Sequence, residues 1–348
     1  MQTGRKFILV LMTLMVGCGG LRLVLVDTAY QRPSNVAVYF TVDTAGGEPV
    51  GGLTAESFRI YEDGELVSPT ESDQQIINPE VAAEHYTLLL VDMSGSVVET
   101  EGAVATLQAA ATELVSQVEG SSQRVAVYAF DGEEDIHAIV GFTSEGGATA
   151  GVARLSGFRP ADPSTNLHGA VVQGLATLDA AIAGSRTPLH FGTLVVFTDG
   201  SDRAARVSRN DMNQAIDASP YDVFAIGVGA EMDEGMLGDV GRDGYVLVED
   251  SAAISEAFRQ VGERIVQTTQ RYYLLSYCSP ARAGVHQVSV EAMTEAASGR
   301  VSYEFDAAGF GPNCNPGSPP PFAVGTARTA RTRPRAGRGA RITVTARH

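Results

Sequence analysis

Between residues 86 and 270, short apolar runs alternate with longer stretches of helical period, and this narrows the fold more than any other feature of the chain. The runs are Tyr86 to Val91, Arg124 to Phe130, Ile136 to Phe142, Gly192 to Phe197, Tyr221 to Val228 and Val246 to Val248. A run such as YTLLLV, apolar at nearly every position, suits a strand covered on both faces. Between the runs, Val104, Leu107, Ala111, Leu114, Val115 and Val118 share one helical face. Leu167, Val171, Leu175, Leu178 and Ile182 mark a second, and Ile254, Phe258, Val261 and Ile265 a third, with Ser251 placed to cap it. Doubly covered strands with intervening helices predict an α/β fold: a Rossmann-like, mostly parallel open sheet with helices on both faces.

The flanks follow a different rule. Val36 to Val42 is rich in β-formers, and Asp63-Gly64 sits between two short strand-like runs as a hairpin turn does. Residues 68–84 are polar and loop-like. After Arg271 the segments 271–278, 285–292 and 300–305 alternate apolar and polar residues, the pattern of half-buried antiparallel strands. A two-stranded hairpin alone is marginal. The two flanks are therefore expected to join into one small split β-sandwich, with the α/β block inserted in it. The expected boundaries are 35–83 and 271–310 for the β parts and 84–270 for the α/β domain.

Three fragments lie at the carboxyl ends of the predicted strands, the edge where open α/β sheets hold their ligands. Asp92-Met93-Ser94-Gly95-Ser96 follows the first strand, Ser164-Thr165-Asn166 precedes a helix, and Thr198-Asp199-Gly200 ends the GTLVVF strand. Hydroxyls and carboxylates are hard oxygen ligands, suited to Mg²⁺, Mn²⁺ or Ca²⁺ rather than to zinc. This constellation resembles the von Willebrand factor A domain and its metal-ion-dependent adhesion site. The resemblance covers about 84–270. It implies that Ser94 and Ser96 ligate a divalent cation, that Thr165 binds it directly or through water, and that Asp92 and Asp199 hold coordinated waters. It also implies a binding role, with the cation accepting an acidic group from a partner. The remaining chemistry is thin. The six histidines show no metal-ligand spacing, no nucleophile elbow or phosphate-binding loop occurs, and Asp131 to Asp135 has the look of a solvated acidic turn.

The first 17 residues have a basic start and an apolar run of ten, too short to span a bilayer but suited to a signal peptide. Met15-Val16-Gly17-Cys18 resembles a bacterial lipobox, which implies a lipid on Cys18, a tether over 18–34, and an exported protein of the outer membrane. In an exported chain the two other cysteines, Cys278 and Cys314, are expected to pair. Residues 311–348 are Pro-rich, then Arg-rich, and are expected to be a disordered tail. That tail holds seven Arg and no acid, so residues 1–306 carry 18 basic and 41 acidic residues. A body this acidic repels phosphate backbones, and no nucleic-acid partner is expected. The expected function is that of a membrane-anchored, divalent-metal-dependent module for adhesion or assembly, without catalysis. A metal-assisted hydrolase and a structural envelope lipoprotein with an incidental metal site are the alternatives. The α/β block is entered at the amino end of its first strand, so the β part should sit on the far side from the metal.

Overall fold

The computed structural model describes residues 20–77, 83–185, 189–229, 232–249, 253–318, 320 and 339–342. Strands β1 (Leu21–Gln31), β2 (Asn35–Thr44), β3 (Phe58–Glu62), β4 (Glu65–Leu66) and β5 (Gln75–Ile77) precede the α/β block. The block contains β6 (Ala83–Asp92), α1 (Gly95–Glu99), α2 (Ala103–Val118), β7 (Gln123–Phe130), β8 (His137–Thr143), α3 (Gly147–Gly151) and α4 (Leu167–Ala183). It continues through β9 (Leu189–Thr198), α5 (Arg209–Ala218), β10 (Asp222–Val228), α6 (Glu234–Val240), β11 (Gly244–Val248) and α7 (Ile254–Gln270). Strands β12 (Tyr272–Cys278), β13 (Val285–Met293) and β14 (Ser298–Asp306) follow.

The block is a six-stranded sheet in the order β11-β10-β9-β6-β7-β8, parallel except for β8, which runs antiparallel to β7. Successive side chains of a strand point to opposite faces, and β6 shows why its run has to be apolar throughout. Leu89 and Val91 join one core with α2 and α7. Leu88 and Leu90 join a second core with α4, α5 and α6.

The flanks form two four-stranded sheets, β1-β2-β12-β5 and β14-β13-β3-β4, each drawing strands from both sides of the insertion. Val38, Phe40, Tyr273 and Leu275 of the first face Phe58, Ile60, Val288 and Val290 of the second across a shared core. Cys278, at the end of β12, is bonded to Cys314, with the Cα atoms 5.8 Å apart.

Three stretches depart from the expectations above. The tether expected over 18–34 is instead mostly strand β1, which makes ten antiparallel residue pairs with β2. The apolar residues of LRLVLV are what the sheet uses. Within the loop expected over 68–84, Gln75–Ile77 pairs with β12 as β5. In the tail, residues 311–318 are held by the disulfide and by Asn35, and residues 339–342 lie on the edge of the large sheet. Backbone pairing at an edge requires no core-forming side chains, so composition does not reveal it.

The outer face of the first small sheet rests on the amino-terminal edge of the large one. Phe191 of β9 packs on Tyr272, with ring centroids 4.3 Å apart, and Tyr39 stacks on Tyr272 at 5.9 Å. A cavity of about 500 Å³ opens here, lined among others by Tyr39, His85, Phe191 and Tyr272. His85 is fully buried, with Nε2 2.8 Å from the Thr193 hydroxyl. Burial holds its imidazole down at about 4, against a weaker opposing pull from Asp222. The unfolded chain takes up a proton near pH 6.5, whereas folded His85 stays neutral down to about pH 4. The contribution of His85 to stability is therefore flat above pH 6.5 and falls as pH drops through that window, by on the order of 3 kcal/mol. The raised Asp92 carboxyl works in the opposite direction below about pH 6, so the measure is a difference: in urea titrations at stepped pH, wild type should lose this much stability relative to His85→Gln between about pH 6.5 and 4.

Candidate metal site

Strand β6 ends at Asp92, whose side chain is entirely out of solvent. Its Oδ1 accepts the Ser94 backbone N–H at 3.0 Å, and its Oδ2 accepts the Thr198 hydroxyl at 2.7 Å. Because β6 and β9 are adjacent parallel strands, with Val91 opposite Phe197, the two motifs that follow them emerge side by side. Ser94 is the N-cap of α1 and Ser96 lies in its first turn. Their hydroxyl oxygens are 3.3 Å apart, and Ser96 Oγ donates to Asp199 Oδ1 at 3.0 Å.

Thr165 reaches the same place from a third loop. The Gly95 N–H donates to Pro163 O at 2.9 Å, which binds the two loops together. The Arg203 and Ala204 N–H groups both donate to Thr165 O, which ties this loop to the one after Asp199. A Cβ placed on Gly200 would stand 3.7 Å from Thr165 Oγ1. Asn166 then caps α4, its side chain accepting the Gly169 N–H at 3.3 Å. Gly132 supports the loop from behind, and a Cβ there would fall 2.0 Å from Ser164 Oγ and 2.4 Å from Asp162 Cγ. Gly132→Ala should accordingly displace the 162–166 loop, lowering stability by about 1–3 kcal/mol and weakening cation binding. Chemical denaturation and calorimetric titration with Mn²⁺ would measure the two effects.

The structure thus brings Asp92, Ser94, Ser96 and Asp199 together by direct hydrogen bonds and places Thr165 beside them. All five stand at the carboxyl edge of the sheet, opposite the sandwich. Burial, and then the like charge of Asp199, push the Asp92 carboxyl up to about 6, although Ser94 and Thr198 donate to it. Burial also raises Asp199. Neither carboxylate forms an ion pair with an Arg, Lys or His side chain among the described residues. One buried and one half-buried carboxylate converging with three hydroxyls fit a hard divalent cation: the donors are all oxygen, and only the more distant charge of Arg203 acts against the negative charge. Cys18 lies outside the described residues.

Two further features lie nearby. Asp202 accepts the His168 backbone N–H at 3.1 Å and stands 3.3 Å from its Nδ1, fastening the Asp199 loop to the first turn of α4. Asp131, Glu133 and His137 bring one ligand atom each to within 4.8 Å of one another, a spacing that would hold a metal ion. Residues 131–135 read from the sequence as a solvated turn, and His137 belongs to the strand that follows it. The only signal was the turn itself, which folds β8 back on β7. Asp131 is buried and already engaged, however: Oδ1 accepts the Glu133 N–H and Oδ2 the Ala161 N–H, each at 2.8 Å.

No protein-family model matches the sequence, and neither does any curated protein. Among solved structures, the chain is similar to proximal thread matrix protein 1 of the mussel byssus, at 14% identity and a TM-score of 0.45 over 53% of this chain and 48% of that one. It thus spans about half the length of the mussel protein. It is also similar to the manganese-loaded TRAP protein of Plasmodium vivax, at 12% identity and a TM-score of 0.41 over 69% and 98% of the two chains. An aerotolerance-related membrane protein of Bacteroides fragilis matches at 16% identity and a TM-score of 0.39 over 51% and 98%.

Proposed function

We propose that this chain is a divalent-cation-dependent binding module of the von Willebrand factor A type, carried on a β-sandwich. The observation behind this reading is the convergence of Ser94, Ser96, Thr165, Asp92 and Asp199 at the sheet edge facing away from the sandwich. Ser94, Ser96 and Thr165 would hold the cation through neutral hydroxyls. Asp92 and Asp199 would fix the hydroxyls and orient water around it. A bound Mg²⁺ or Mn²⁺ would supply positive charge and an open position for an acidic group of a protein or surface-polymer partner. The hydroxyls matter here because direct carboxylate ligands would neutralise more of that charge. The acidic body sharpens the effect, since a carboxylate-bearing partner is repelled everywhere else.

A cross-linked pull-down from envelope extract tests the reading, using wild type and Asp92→Ala with and without Mg²⁺. The expected partner is captured only by wild type in Mg²⁺. Identical capture after EDTA, or by the variant, would sink the proposal. No helix among the described residues is long and apolar enough to cross a membrane. The anchor in this reading is a lipid on Cys18. Palmitate incorporation by wild type and not by Cys18→Ser is the expected result.

A further inference from the structure

The outer edge of the large sheet at β11 carries residues 339–342 in parallel. The Tyr245 N–H donates to Ala340 O at 3.1 Å, and the Ile342 N–H donates to Tyr245 O at 2.7 Å. One residue further back, the Gly339 N–H donates to Gly238 O at 2.8 Å. This is strand addition, in which backbone bonds give attachment and alternate side chains give selectivity.

Three positions are selective. Gly339 lies so close to the Gly241 backbone that a Cβ would stand 1.8 Å from Gly241 O, so any larger residue is excluded. Arg341 pairs with Glu234 Oε1 at 3.3 Å, the same oxygen that accepts the Tyr245 hydroxyl at 2.9 Å. Ile342 is half-buried against the core beneath α2 and α7. There a Cβ on Gly244 would come 3.0 Å from Ile342 Cδ1, so the absence of a side chain at Gly244 makes room for it.

We propose that the β11 edge is a docking site for an extended Gly-x-Arg-Ile segment, and that its occupant is residues 339–342 of the same chain, held exchangeably. Among the described residues, attachment rests on three backbone bonds, one ion pair whose side chains are half exposed, a long bond of 3.5 Å from the Arg341 guanidinium to Leu247 O, and one isoleucine. Exposed pairs of this kind contribute little, so the segment stays in place largely because it is tethered. Its charge suits the place, since the tail is basic without an acid and the body is strongly acidic. While docked, it covers a strand edge that would otherwise template pairing with another chain.

The test uses the full chain and a fluorescein-labelled peptide of residues 336–346. In wild type the tethered segment competes at high effective concentration, so peptide capture should be at least roughly tenfold weaker than in Ile342→Asp, where the segment is loosened. Hydrogen exchange at the Tyr245 amide should rise by a similar factor in Ile342→Asp. Adding Glu234→Arg to that variant should weaken capture, and a peptide carrying Arg341→Glu should restore it. Equal exchange at Tyr245 in wild type and Ile342→Asp would overturn the proposal. So would capture indifferent to Glu234→Arg. A wild-type dimer that the peptide dissociates would assign the occupant to a second copy and overturn the assignment within one chain.

Discussion

Asp92→Ala should leave the protein folded and unable to bind Mg²⁺ or Mn²⁺ at millimolar concentration. The side chain lies at the end of a central strand and receives the Ser94 N–H and the Thr198 hydroxyl. Alanine therefore removes the carboxylate that holds two of the three loops in register. It also removes a buried carboxyl that burial and the nearby charge of Asp199 push up. The cation's main electrostatic reason for binding goes with it. In wild type, cation at about 100 times its dissociation constant stabilises by about 2.7 kcal/mol, a rise in melting temperature of roughly 5–10 °C for a unit of this size. The variant should show no such rise, while its far-ultraviolet circular dichroism matches wild type. An equal rise in both proteins would show that the cation binds elsewhere, with the Asp131, Glu133 and His137 cluster the next place to look.

The α/β block was legible because both faces of its sheet are covered. Leu88 and Leu90 serve one core and Leu89 and Val91 the other, so the strand announces itself as an unbroken apolar run. The candidate site was legible as a cluster because its residues fall at strand ends, where parallel order brings loops from distant parts of the chain together. What escaped was structure held by backbone rather than by side-chain pattern. β5 has three residues, and residues 339–342 dock mainly through N–H and C=O groups. The role of Asp202 escaped because its partner, His168, lies 34 residues away in sequence, and only the fold makes them neighbours.

Removing the Cys278–Cys314 bond should have the next largest effect, confined to the sandwich. The bond closes a loop of 36 residues in sequence, and closures of that length contribute about 3–4 kcal/mol by restricting the unfolded chain. On the far side the Gly311 N–H also donates to Pro33 O at 2.8 Å, and Pro316 is buried. The Asn35 side chain donates to Asn315 O at 2.6 Å and Ser318 O at 3.0 Å, and accepts the Asn315 N–H at 3.0 Å. Paired Cys278→Ser and Cys314→Ser substitutions should lower the guanidinium midpoint accordingly. Cation affinity should not change, because the bond and the site lie at opposite ends of the molecule and distant substitutions act independently. A loss of cation affinity in the paired variant would mean that the sandwich governs the shape of the site.

The strand order of the small sheet carries a mechanical consequence. The chain passes into the α/β block after β5 and returns from it into β12, and these two strands are hydrogen-bonded neighbours running in opposite directions. A tug on the candidate site is thus delivered to two adjacent strands, along their length. β12 is also laced to β2 by seven residue pairs. Tension along a strand loads all the rungs of its ladder at once, whereas tension across it would open them one after another. Because β5 and β12 are drawn the same way, the load passes to the rest of their sheet through the β2–β12 ladder, which takes it along the strands rather than rung by rung.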